Sequence, residues 1–167
     1  MKTRKIAWIG MFVAVAFVLS YIEAMLPISF GIPGIKLGLS NIVVMLCLYE
    51  CSFPQTFGIA IVRIILTGFT FGNISMMLYS LAGGMLSLLV MALLKKCDTF
   101  SVYGVSIAGG VCHNIGQILV AVAILQQKGL LLYYLPFLLI AGCISGTCIG
   151  MLAAILIKRL HGIINNE

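Results

Sequence analysis

Apolar runs of bilayer-crossing length fill almost the whole of this chain. Divided at Gly, Pro and charge, it falls into runs at 6–26, 36–50, 54–71, 74–95, 103–126 and 132–158. A hydrocarbon core of ~30 Å takes about 20 helical residues to cross. A soluble globule needs polar residues for its surface, and a chain that is 62% hydrophobic and 8% charged, with a mean hydropathy of +1.21, does not supply them. The expectation is an all-α membrane protein: a six-transmembrane-helix bundle forming a single integral membrane domain over residues 1–167.

Charge then orients the bundle. The net charge of +6 comes from ten basic residues scattered singly or in pairs at the ends of apolar runs, a topology signal rather than a nucleic-acid surface. With the N-terminus inside, Lys2, Arg4, Lys5, Lys95, Lys96, Lys158 and Arg159 collect on the cytoplasmic side, against Lys36 and Lys128 outside. Both termini are thus expected in the cytoplasm, with spans one, three and five running outward. The opening Lys2, Arg4 and Lys5 before an apolar run imitates a signal peptide, but the run continues to Leu26 without a small-x-small cleavage site and is read as a span. The six cysteines form no CxxC pair and, except for Cys97, lie in or at the edge of apolar segments, where they are read as packing residues rather than metal ligands.

Polar groups inside such runs are costly and need a reason. Arg63 stands in the middle of the third run, and His113-Asn114-Ile115-Gly116-Gln117 interrupts the fifth. At helical spacing His113, Asn114 and Gln117 share one face, with Gly109, Gly110 and Gly116 leaving room beside them. Together with Asn41, Asn73 and Tyr79 they fall from mid-depth outward, the inner half having few buried polar residues. These are the expected pocket groups for a small polar solute. The Pro- and Gly-rich stretch from Pro27 to Gly38, carrying Lys36, would lie over them as a lid. Arg63 could instead pair with Glu23 to fix helix register, and Tyr133 and Tyr134 could be interfacial belt residues. The pattern contains no nucleophile with its base and no repeated carboxylates, so no enzyme is expected.

The strings Pro33-Gly34-Ile35-Lys36-Leu37-Gly38-Leu39-Ser40-Asn41, Phe71-Gly72-Asn73, Tyr79-Ser80-Leu81-Ala82-Gly83-Gly84, His113-Asn114-Ile115-Gly116-Gln117 and Tyr133-Tyr134-Leu135-Pro136 resemble the bacterial Gx transporter family, also labelled heptaprenyl diphosphate synthase component I. The two labels imply different activities. A prenyl synthase needs aspartate-rich motifs to hold magnesium against a diphosphate, and Asp98 is the sole aspartate here, which leaves that label a non-catalytic partner role.

The transporter label resembles the substrate-binding component of energy-coupling factor transporters. That resemblance implies six helices in the bacterial plasma membrane, an outward-facing pocket under a lid, and a first helix docking a coupling subunit through small residues. The family's Ala-x-x-x-Ala docking motif has Gly10-x-x-x-Ala14 and Ala16-x-x-x-Ser20 as its counterparts here. The expected function is capture of a small vitamin-like or cofactor-related solute at the outer face. With no Gly-x-x-x-x-Gly-Lys-Ser/Thr loop in the chain, ATP hydrolysis would fall to a separate ATPase pair working through a membrane coupling subunit. No cofactor and no metal are expected. A proton-coupled transporter using His113 and Glu23 is disfavoured because no inverted repeat is visible.

Overall fold

The computed structural model describes residues 2–25, 38–97, 99–127 and 129–164. Every regular element among them is a helix: α1 (Lys2–Met25), α2 (Leu39–Glu50), α3 (Phe53–Phe71), α4 (Ile74–Lys96), α5 (Val102–Leu125) and α6 (Gly129–Ile164). Most boundaries fall where sequence punctuation put them, because the punctuating residues are caps. Ser52 and Gln55 form a capping box around Pro54 at the start of α3. The Asn73 side chain accepts from the Met76 amide at the start of α4, and the Ser101 hydroxyl accepts from the Gly104 amide at the start of α5.

Five of the helices are long and apolar enough to cross a membrane, consistent with a multi-pass membrane protein. α2 is shorter than its predicted run: its 12 residues rise only ~18 Å. It is also the most enclosed element, with Ile42 through Leu48 all buried. Its C-terminal carbonyls are satisfied from neighbouring helices, Leu48 O by Lys95 Nζ at 2.6 Å and Cys47 O by Thr56 Oγ1 at 2.9 Å. The Lys95 ammonium also lies 4.9 Å from the Tyr49 ring centroid. In the turn that follows, burial pushes the Cys51 thiol up from its ordinary range, in keeping with a packing role. α6 runs the other way, to 36 residues, longer than a bilayer core requires.

The helices close into a ring in the order α1, α2, α6, α5, α4, α3 and back to α1, with α2 also touching α3. Large apolar side chains such as Val18, Phe69, Leu93, Leu119 and Ile144 stay exposed on the outside, a surface that lipid would cover. The tightest seams use small residues. A Cβ on Gly110 of α5 would lie 2.5 Å from the Gly142 carbonyl oxygen of α6, and Gly146 and Gly150 continue that ridge against α5. A Cβ on Gly116 would meet the Gly83 Cα at 2.8 Å, so α4 and α5 also approach backbone to backbone. The predicted small-residue ridge of the last span is therefore the α5–α6 seam.

Candidate binding cavity

The ring encloses a cavity of about 120 Å³ to which all six helices contribute. Each helix presents one stripe to it. On α5 the stripe is Ser106, Gly109, Gly110, His113, Asn114 and Gln117, at spacings of three and four residues that hold one helix face inward. On α4 it is Met76, Met77, Ser80, Ser87 and Met91; on α3, Arg63, Ile64, Thr67, Gly68 and Phe71. α1 adds Ser20, Glu23 and Ala24, α2 adds Ser40, Asn41 and Met45, and α6 adds Ser145 and Ile149.

Arg63 is 7% exposed. Its Nη1 donates to the Ser40 hydroxyl of α2, while its Nε has no hydrogen-bond partner. Glu23 lies on the same cavity wall within electrostatic reach of Arg63, and its Oε1 accepts from the Gly38 amide at 2.5 Å. Asn114 donates through Nδ2 to the Leu138 carbonyl at 2.7 Å, tying α5 to α6. The side chains of Asn41, Ser80, Ser87, Ser106 and Gln117 face the space without a hydrogen bond to any described residue. Polar groups enclosed in this way gain from a ligand or ordered water that completes their bonding.

Of the residues singled out in the sequence, the structure brings Asn41, Arg63, His113, Asn114 and Gln117 together around this cavity. Asn73 and Tyr79 do not line it. Asn73 is exposed, and its side-chain oxygen is engaged as the α4 cap. Tyr79 sits one position before the lining Ser80 and so projects ~100° around the helix from it. Depth alone had grouped the two; helical phase separates them. Lys36 and the proposed lid lie outside the described residues, apart from Gly38. Tyr133 is 77% exposed and stands off the cavity, as a belt residue would.

The small residues of α1 divide between two faces. Gly10 and Ala14 are exposed, whereas Ala16 is fully buried and Ser20 lines the cavity with its hydroxyl donating to the Ala16 carbonyl at 2.9 Å. Only the first pair is open to a docking partner.

Sequence reading missed the inner part of the cavity. Ser87 and Ser106, with Met45 and Met91, carry the lining toward the end of the bundle where α4 finishes and α5 begins. The half of the cavity toward that end is thus less apolar than expected. Single serines in apolar helices pass for packing residues, and only their place on the stripes with His113 and Ser80 marks them. Among the described residues no group of three His, Cys, Asp or Glu could hold a metal ion.

A family model described as heptaprenyl diphosphate synthase component I matches residues 12–156 of the chain. No curated protein and no solved structure matches it.

Proposed function

Because this chain belongs to the heptaprenyl diphosphate synthase component I family, we propose that it is the solute-binding component of a multi-subunit membrane assembly of the energy-coupling type. The observation that carries this reading is the cavity, in which a buried arginine from α3 and side chains of α2, α4 and α5 without a hydrogen bond to any described residue converge inside an otherwise apolar ring. A residue as costly in lipid as Arg63 is retained where it serves a protected polar space. The family description, as a component, supports partnership with other subunits. In this reading the cavity captures a small vitamin-like or cofactor-related solute from the outer face of the bacterial plasma membrane. Movement inward depends on a coupling subunit and an ATPase pair. The basic residues Lys95, Lys96, Lys158 and Arg159, at the shared end of α4 and α6, mark the cytoplasmic side.

Extraction in mild detergent tests the assembly: an ATPase pair and a membrane subunit should co-purify. Recovery of the chain alone, from cells whose solute uptake is unchanged by its deletion, would defeat the proposal.

The family description itself favours a second reading, a non-catalytic membrane subunit for prenyl diphosphate synthesis. Prenyl transfer would then be carried by a partner, since this chain holds a single aspartate. That reading expects deletion to lower prenyl diphosphate synthase activity in extracts while leaving solute uptake intact.

A further inference from the structure

Two positive features meet at Ser40. The first is the N-terminus of α2. At 12 residues this helix is too short to reach both ends of the ring, and contacts from Lys95 and Thr56 hold its C-terminal end where α4 finishes and α3 begins. Its first turn therefore opens part-way along the bundle, with Gly38, Ser40 and Asn41 on the cavity wall. Gly38, the N-cap, has a left-handed backbone (φ 74°) and supplies no side-chain acceptor. The Asn41 amide donates to the Gly38 carbonyl at 2.8 Å. This start therefore directs the Leu39 and Ser40 amides and the positive end of the helix dipole at whatever lies before it, the device by which discontinuous membrane helices hold anionic groups.

The second feature is Arg63, whose guanidinium reaches the same place from α3. It is more than nine-tenths buried, props Nη1 on the Ser40 hydroxyl and leaves Nε without a partner. Only one carboxylate among the lining residues, that of Glu23, stands against these donors, and it already accepts from the Gly38 amide. One guanidinium and a helix start, offset by one carboxylate, suit a ligand with a single negative charge. A diphosphate would bring two or three charges into a low-dielectric space where the described lining residues offer no second lysine or arginine to balance them.

Resting on the reading of the cavity as a solute site, we propose that Arg63 and the first turn of α2 form an oxyanion subsite, and that the solute is a small molecule bearing one carboxylate. The carboxylate sits against the guanidinium and the α2 amides. The uncharged remainder extends toward Ser87 and Ser106 between Met45 and Met91.

The chain has three arginines, Arg4, Arg63 and Arg159, so its Nε-labelled NMR spectrum in lipid nanodiscs is simple, and Arg63→Lys identifies the buried resonance by its loss. Acetate, the smallest probe with a neutral isostere, should move the Arg63 signal saturably while leaving the other two in place. Acetamide should act about tenfold more weakly, for want of charge-assisted hydrogen bonds. Inorganic pyrophosphate should be weaker than acetate.

An Arg63 signal that acetate leaves unmoved at tens of millimolar overturns the subsite. So does equal binding of acetamide, or tighter binding of pyrophosphate. The titrations themselves use the unsubstituted protein, and Arg63→Lys serves only to assign the resonance. A small molecule retained through purification, and retained equally by Arg63→Gln, overturns the subsite but leaves the cavity as a solute site. If nothing is retained and deletion spares uptake, the cavity reading itself fails.

Discussion

Arg63 shows how a residue that lipid penalises is kept. Scales for an arginine at mid-bilayer start near ~2.5 kcal/mol and rise steeply, and here the Ser40 hydroxyl, the nearby Glu23 carboxylate and the polar cavity offset that cost. Its importance was legible because nothing else in its apolar run is charged. Asn73 caps α4 and stands off the cavity, and an asparagine ending a loop reads equally as cap or ligand. Asn73→Ala is expected to lower stability by about 1 kcal/mol, the usual worth of an N-cap, and to leave solute retention unchanged. Chemical denaturation alongside a ligand-retention assay checks both, and lost retention at full stability would return Asn73 to the site. Asn114 has a structural bond as well as a cavity position. Asn114→Leu should cost about 0.6 kcal/mol, the average for interhelical hydrogen bonds in membranes, and at most ~1.7 kcal/mol, read as a lower midpoint in detergent unfolding.

At the scale of elements, the seams depend on glycine where backbones touch. Gly110→Ala places a methyl 2.5 Å from the Gly142 carbonyl oxygen, a contact that only a shift of α5 against α6 can relieve. Overpacking of this kind costs about 1–3 kcal/mol. Gly58→Ala is the control: nothing lies within 4 Å of its Cβ, so the helix should gain from alanine by up to ~1 kcal/mol. Equal unfolding midpoints for the two variants would refute the seam. α2 depends on its neighbours in another way. Lys95→Met removes both the hydrogen bond to Leu48 O and the contact with the Tyr49 ring, and should leave the α2 C-terminus exchanging amide hydrogens faster than the unsubstituted protein does.

For the whole molecule, orientation is the property on which the functional reading turns, because the cavity must face the side from which solute arrives. Cys97, exposed in the turn after α4, reports it. In a variant keeping Cys97 alone, a membrane-impermeant maleimide should label inverted vesicles and spare intact cells. Labelling in intact cells would turn the bundle over and place Glu23 and Gly38 on the cytoplasmic side. The charge pattern predicts this orientation from the sequence, since lysines and arginines at helix ends bias insertion whatever the packing between helices.

Hydrophobic run length, caps and charge bias act locally, and so the chain by itself determined that it forms membrane helices, where most of them begin, and that Arg63 and the His113–Gln117 face need a polar setting. Ring closure is not local. It depends on which glycine meets which backbone, as at Gly110 with Gly142 and Gly83 with Gly116. Only the tertiary structure decided that Ser80 rather than Tyr79 lines the cavity, that Ser87 and Ser106 extend it inward, and that α2 stops short and sets its first turn beside Arg63. A residue's depth follows from its place in the sequence, but what it faces follows from helix phase and from the neighbour that packing sets against it.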